Sequence, residues 1–205
     1  MDCDAGMTGV SRFATCDPQP TILNQIENPK SQIENPPMPP QALFDLDQID
    51  FSRPPLYDIE AIRRCNPQRN QMEQLTAIVY EDTVNHVVIG YKEVTEEEFW
   101  VGGHMPGFPL MPGVIMCEVG AQLCAFYTKK HKLVGGDFSG FGGMDAVRFR
   151  SPVYPPSRFV VVAKLTELRP NRRAMFDMQG FVKNKLVFEG SMMGVPIFKN
   201  QGMNP

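Results

Sequence analysis

The stretch MPGVIMCEVGAQLCAFYTKK, residues 111–130, contains the only long helical pattern in the sequence. Its apolar residues nearly encircle the helix instead of forming one stripe, which indicates a helix buried on most sides. Pro112 suits the first helical position, and Gly113 lets the backbone approach another group closely. The pattern therefore predicts a buried helix over residues 112–129.

Strand-like segments lie on both sides of this helix. Alternating or continuous apolar residues predict strands over 75–82, 86–94, 144–150, 157–168, 172–182 and 185–195. Asp58 caps one further short helical segment, DIEAIRRC. We interpret the glycine-rich residues 135–143 as a flexible connection and residues 95–98, a threonine followed by three glutamates, as a solvated turn. One buried helix among about six antiparallel strands predicts an α+β domain whose sheet wraps the helix.

The domain is expected to begin near Tyr57. Nine of the nineteen prolines precede that residue, and residues 1–56 show little apolar periodicity, which predicts a disordered extension. Residues 25–36 hold a short repeat, and one hypothesis is that residues 1–37 are translated intergenic repeat DNA, with Met38 as the native start. We expect the folded domain over 57–198 and a tail over 199–205.

Composition narrows the classes of function. A chain of 205 residues with 42% hydrophobic content can bury one full core. The net charge of −3 argues against nucleic-acid binding, and no apolar run is long enough to span a membrane. The acidic N-terminus shows no secretory signal. Five cysteines without a Cys-x-x-Cys pair indicate free thiols in the cytoplasm. The three histidines do not cluster with acids or cysteines, so neither a metal nor a cofactor is expected.

His104 and Glu118 are the strongest candidates for catalysis. Glycines and prolines surround His104, so the loop is rigid and leaves little bulk around the imidazole. Glu118 interrupts the apolar helix, where a buried carboxyl must be paired, protonated or functional. We expect an acid–base pair, with Glu118 about 7.5 Å along the helix axis from Gly113. Two alternatives stay open: a structural His104, and a Glu118 that pairs with Arg148 or Arg150.

Four motifs follow one another along the domain. They are Gly103-His104-Met105-Pro106-Gly107, Met111-Pro112-Gly113-Val114, Glu118 with Ala121-Gln122, and FGGMDAVRFRSPVYPP over residues 141–156. Together they resemble the hot-dog-fold 3-hydroxyacyl-[acyl-carrier-protein] dehydratases of the FabZ type. The similarity extends from about Ile59 to Val195.

This resemblance implies a hot-dog fold and the removal of water from a (3R)-hydroxyacyl thioester on acyl carrier protein, giving a trans-2-enoyl thioester in fatty acid biosynthesis. His104 would act as general base and Glu118 as general acid, and the Gly113 N–H would stabilise charge on the thioester oxygen. The two catalytic groups would come from opposite subunits of a homodimer, and a hexamer built as a trimer of dimers is compatible with the family. The other expected substrate-binding residues are Val114, Trp100, Met105, Pro112 and Gln122.

Several residues depart from the family pattern. Gln68 stands where the family usually has histidine, Met105 replaces phenylalanine, and Trp100 belongs to an altered segment before the loop. A paralogue that acts on another acyl thioester, a hot-dog thioesterase and a non-catalytic acyl-binding protein are the alternative functions. The glutamate at 118 resembles the plain dehydratases more than the relatives that also isomerise the double bond.

Overall fold

A six-stranded antiparallel sheet packs around one long helix. The structure, a computed structural model, describes residues 41–199. The strands are β1 (Ala77–Asp82), β2 (Val87–Val94), β3 (Phe138–Phe149), β4 (Ser157–Arg169), β5 (Arg173–Val182) and β6 (Lys185–Ile197). Their order across the sheet is β1-β2-β4-β5-β6-β3. The helices are α1 (Ile59–Arg63) and α2 (Gly113–Lys130), and two 3-10 helices span Leu46–Gln48 and Asn70–Met72.

Helix α2 fills the inner side of the sheet. Twelve of its eighteen residues are buried, as expected for a helix that is apolar on nearly all sides. It begins after Pro112 and ends with Lys129 and Lys130 in its last turn, where positive charge favours the C-terminal end of the helix dipole. The α+β architecture predicted from the sequence is confirmed.

The two faces of the sheet are both apolar. In β2, Val88 and Val94 belong to the core around α2, whereas Val87 and Ile89 face the opposite side, as strand alternation requires. That outer face is covered by residues 41–56, the N-terminal strap. Leu46 of the strap is buried.

Hydrogen bonds fasten the strap to the sheet. The buried Gln179 accepts from Leu43 N at 2.8 Å and donates to Gln41 O at 3.0 Å. Asn184 donates to the Asp47 carboxylate at 2.9 Å. The expected disorder up to residue 56 therefore does not hold for residues 41–56, because the apolar outer face gives this segment a surface on which to pack.

Strand β3 is longer than the sequence predicts. It begins at Phe138, so residues 138–143 of the expected flexible connection are a strand. Backbone pairing with β6 holds this segment as a strand, from Phe138 opposite Ile197 to Gly143 opposite Met193. Two irregularities bend β3, which lies at the edge of the sheet and exposes Phe141 and Phe149.

None of the helices within residues 41–199 combines the length and apolar character that crossing a membrane requires. Three expectations concern residues outside the described range. These are the repeat at 25–36, the start at Met38, and residues 200–205 of the expected tail.

Candidate functional site

The loop between β2 and α2, residues 95–112, presents His104; we call it the His104 loop. The amides of Gly103 and His104 both donate to Trp100 O, at 3.0 and 2.7 Å. The imidazole Nδ1 lies 2.8 Å from Leu110 O. Because a carbonyl oxygen only accepts, Nδ1 must carry the hydrogen in this contact. In a neutral imidazole this leaves Nε2 with its lone pair, which is the state a general base needs.

The first turn of α2 lies beside this histidine. Ile115 and Met116 already use their amides to donate to Pro112 O. The amides of Gly113 and Val114 precede them at the positive end of the helix dipole, where the first N–H groups lack intrahelical acceptors. A carbonyl or anionic oxygen is therefore favoured at this position.

A cavity of about 490 Å³ opens between the loop, α2 and the end of β3. This volume falls within the range of small-molecule sites, which are typically apolar with a few polar groups. Apolar side chains make up most of its wall. Its lining residues are His104, Leu110, Met111, Gly113, Val114, Met116, Phe149, Arg150, Ser151 and Pro152.

Phe149 explains why residue 113 is a glycine. A Cβ atom added at Gly113 would lie 2.6 Å from Cζ of Phe149, well inside contact distance. The Phe149 ring stacks on the buried Phe188, with ring centroids 5.8 Å apart. The close approach expected at Gly113 is thus made by an aromatic ring that also forms one wall of the cavity.

Glu118 lies outside this cavity and is held by Gln122. It is half-buried on α2, and its Oε1 accepts from Gln122 Nε2 at 2.7 Å. The same amide group donates to Met72 O at 2.6 Å, while Gln122 Oε1 accepts from the amides of Gln74 and Leu75 at 2.9 and 3.1 Å. Gln122 therefore joins α2 to residues 72–75 and orients the Glu118 carboxyl.

The predicted site residues fall into two groups. Within one chain, His104, Gly113 and Val114 meet at the cavity. Trp100 and Pro112 are buried within the loop, before and after His104, and Met105 is exposed. The cavity of the same chain is not lined by five of the predicted site residues, which are Trp100, Met105, Pro112, Glu118 and Gln122.

Two expectations for Glu118 need correction. Five helical residues turn through about 500°, which leaves Glu118 about 140° around α2 from Gly113, so spacing along the axis does not bring it to a group bound there. The alternative pairing with Arg148 or Arg150 is also wrong, because both arginines pair with Glu189. Glu118 instead follows Val114 by four residues and shares its side of the helix.

Sequence reasoning missed several residues of the cavity. Met111 opens one of the quoted motifs and Leu110 directly precedes it, but their role depends on how the loop folds back to α2. Phe149 and Arg150 come from the far end of β3. The motif over residues 141–156 was the signal that marked them, although their location beside Gly113 required the tertiary fold.

The two other histidines belong to a second polar cluster. His131 Nε2 lies 2.7 Å from Glu81, and His86 Nδ1 lies 2.8 Å from the Tyr127 hydroxyl. Glu81 also accepts from Lys130 and Tyr57. Both histidines are half-buried and paired.

The cysteines of α2 are packing residues. Cys124 is fully buried against Met178, and burial raises the pKa of its thiol well above the usual range. Cys117 is half-buried, and burial raises its pKa as well. Thiols that resist ionisation are poor nucleophiles, so neither cysteine is a candidate for catalysis.

Comparisons with known proteins identify the family. A family model described as the FabA-like domain matches residues 66–191. The FabZ 3-hydroxyacyl-[acyl-carrier-protein] dehydratase of Clostridioides difficile is 32% identical over 138 residues, which cover 67% of this chain and 96% of that protein. Its counterpart in Desulfotalea psychrophila is 34% identical, with 70% and 96% covered. The bifunctional enzyme LpxC/FabZ of Chlorobaculum tepidum is 33% identical, but this chain spans only 31% of its length.

Solved structures share the fold at low sequence identity. The dehydratase heterocomplex ApeI:P from Xenorhabdus doucetiae aligns with a TM-score of 0.55 and 16% identity, covering 66% of this chain and 90% of that one. An HP0420 homologue from Helicobacter felis gives a TM-score of 0.50 and 12% identity, with 67% and 87% covered. These structures support the hot-dog fold alone.

Proposed function

Because this chain belongs to the FabA-like family, together with the FabZ 3-hydroxyacyl-[acyl-carrier-protein] dehydratases, we propose that it is a hydro-lyase of fatty acid biosynthesis. It would remove water from a (3R)-hydroxyacyl thioester on acyl carrier protein and release the trans-2-enoyl thioester. The observation that carries this proposal is the location of His104 in an apolar cavity beside the first turn of α2.

His104 would act as the general base. Its Nδ1 hydrogen is engaged by Leu110 O, so Nε2 is the atom that would take the C2 proton from the substrate. Fixing one nitrogen in this way also fixes the plane of the ring, which a base needs in order to meet a defined C–H bond.

The Gly113 amide would bind the thioester oxygen. Loss of the C2 proton moves negative charge onto that oxygen, and a helix N-terminus stabilises such charge without having to reorganise. Val114 and the neighbouring apolar residues of the cavity would contact the acyl chain. Met105, exposed in the His104 loop, is proposed to contact substrate or a second chain.

Glu118 would protonate the departing C3 hydroxyl from the opposite subunit of a homodimer. Glu118 does not line the cavity of its own chain, and Val114, one turn earlier on the same side of α2, is 74% exposed. Edge strand β3 offers unpaired backbone groups and the exposed Phe141 and Phe149 for association with a second chain. A dimer formed there would be isologous, so each pair of chains would hold two equivalent sites.

The proposed partner is acyl carrier protein, and the proposed compartment is the cytoplasm. Arg148, which is largely exposed at the end of β3, lies next to the cavity-lining Phe149 and is available to an acidic carrier. The three described cysteines are all free, which suits a reducing compartment. Further assembly of dimers into a hexamer is compatible with this arrangement.

The direct test uses purified protein and a 3-hydroxyacyl thioester on acyl carrier protein. Dehydration would give the absorbance of a conjugated enoyl thioester without release of free thiol. His104→Ala and Glu118→Gln should each lower kcat by roughly 10²- to 10⁴-fold. Thiol release without enoyl formation would identify a thioesterase instead, and unchanged rates in either variant would exclude that residue from catalysis.

A further inference from the structure

Lys92 and Glu98 form an ion pair that is almost completely buried. Lys92 Nζ lies 2.7 Å from Glu98 Oε1, and their side chains are only 6% and 9% exposed. In each of the other ion pairs within residues 41–199, at least one side chain is 24% or more exposed. The sequence had indicated a solvated turn for residues 95–98, so the burial of Glu98 corrects that expectation.

The lysine end of this pair belongs to the rigid part of the fold. Strand β2 lies between β1 and β4, and Lys92 sits opposite Phe159 of β4 in the register. Alternation along β2 puts Lys92 on the same face as Val88 and Val94, toward the core around α2. An ammonium group there is unfavourable unless a specific partner neutralises it.

The glutamate end connects to His104 through two short steps. Glu98 O accepts from Val101 N at 3.0 Å, and Trp100 O accepts from His104 N at 2.7 Å. Trp100 lies between them with 4% exposure, and within residues 41–199 its buried indole N–H finds no hydrogen-bond acceptor. Packing alone therefore holds the indole ring, and the ion pair is the charged side-chain contact between this part of the loop and the sheet.

Energy alone does not account for such a pair. Removing two charges from water costs about as much as their attraction returns, and apolar replacements of similar size are often neutral or stabilising. Breaking the pair by changing one partner is costly, since it leaves an unpaired buried charge. A buried ion pair between a loop and a sheet therefore adds little to the free energy of unfolding. Its effect is to hold the loop in one position.

We infer that the Lys92–Glu98 pair is a positioning device that fixes the His104 loop on the sheet and so sets the location of the imidazole. Neither residue lines the cavity, so their influence on the reaction passes through the loop backbone. The activity consequence rests on the proposed dehydratase function, whereas the effect on loop position does not.

Trp100 gives a readout of loop position that needs no substrate, because it is the only tryptophan in the chain. Glu98→Gln and Lys92→Met should shift its emission to longer wavelength and increase its quenching by acrylamide. The double variant Lys92→Met/Glu98→Leu should regain the wild-type unfolding midpoint, since two apolar side chains replace the pair, while the Trp100 signal stays altered. Val162→Ala, which opens the core on the outer face of the sheet, should lower stability without changing that signal.

Activity supplies the second readout. A base displaced by about 1 Å can slow the reaction by about 10²-fold, so Glu98→Gln should lower kcat on this scale with KM within about threefold. Wild-type emission and kcat in Glu98→Gln, or full recovery of both in the double variant, would overturn the inference. If the wild-type protein forms no enoyl thioester, the proposed function fails, and the Trp100 measurements still decide whether the pair fixes the loop.

Discussion

Replacing Gln122 by leucine would remove four hydrogen bonds from the interior at once. The side chain accepts from the amides of Gln74 and Leu75 and donates to Met72 O and Glu118 Oε1. Leucine has a similar volume, so the cavity created would be small. The change therefore isolates the polar contribution of this residue.

The expected destabilisation follows from the groups left behind. The amides of Gln74 and Leu75 belong to buried residues, and each buried donor without a partner costs about 1–3 kcal/mol. The Met72 carbonyl also loses its partner, and the structure around these groups relaxes in part. The free energy of unfolding should therefore fall by about 3–5 kcal/mol in total. Urea unfolding followed by circular dichroism measures this change. The variant should also form the enoyl thioester more slowly, because the Glu118 carboxyl is no longer oriented.

Thr128→Val is the matched control on the same helix. Thr128 is as buried as Gln122, but in the described part of the chain its hydroxyl has no hydrogen-bond partner. Its replacement should therefore change the unfolding free energy by less than about 1 kcal/mol, in either direction. A loss below about 1 kcal/mol in Gln122→Leu, or an equal loss in both variants, would refute this reasoning.

Three further predictions concern other parts of the molecule. Burial acts to raise the pKa of Glu81, but hydrogen bonds from His131, Lys130 and Tyr57 lower it below 4.5. The stability that this carboxylate contributes is therefore present above pH 4.5 and lost as the pH falls through the lowered pKa. When the free energy of unfolding is measured in urea at several pH values, Glu81→Gln should show a smaller loss at acidic pH than the wild type. Gly113→Ala should displace the half-exposed Phe149 ring, which should change the free energy of unfolding by less than about 1 kcal/mol and slow enoyl formation. Adding Phe149→Leu should restore part of the rate. A rate unaffected by Gly113→Ala would contradict the close contact. A chain that begins at Tyr57 should be less stable by about 2–4 kcal/mol than one that begins at Gln41, and should bind a hydrophobic dye, because the outer face of the sheet loses Leu46 and its neighbours; equal stability would show that the strap is dispensable.

The elements with strong local patterns were predictable from the sequence. The apolar helix expected over 112–129 is α2, shifted by one residue at each end. Strand β4 is predicted from its continuous apolar residues, and the structure buries Phe159–Ala163 consecutively. A strand without alternation has both faces covered, which is what the N-terminal strap achieves.

Features that depend on distant partners were not predictable. Residues 138–143 are rich in glycine and form a strand only because β6 pairs with them. Glu98 ends a run of three acids, a pattern typical of a solvated surface, and its partner Lys92 lies on another element. In the site, His104 and Gly113 were found from local chemistry, whereas Phe149 reaches them only through the crossover between α2 and the sheet.

The most direct test mixes two inactive variants. His104→Ala and Glu118→Gln chains, combined in equal amounts and allowed to exchange subunits, should regain about a quarter of the wild-type rate of enoyl formation, because half of the dimers are mixed and each mixed dimer holds one intact site. If both groups acted within one chain, every site in the mixture would lack one of them. A mixture no more active than its parents would contradict a site shared between subunits.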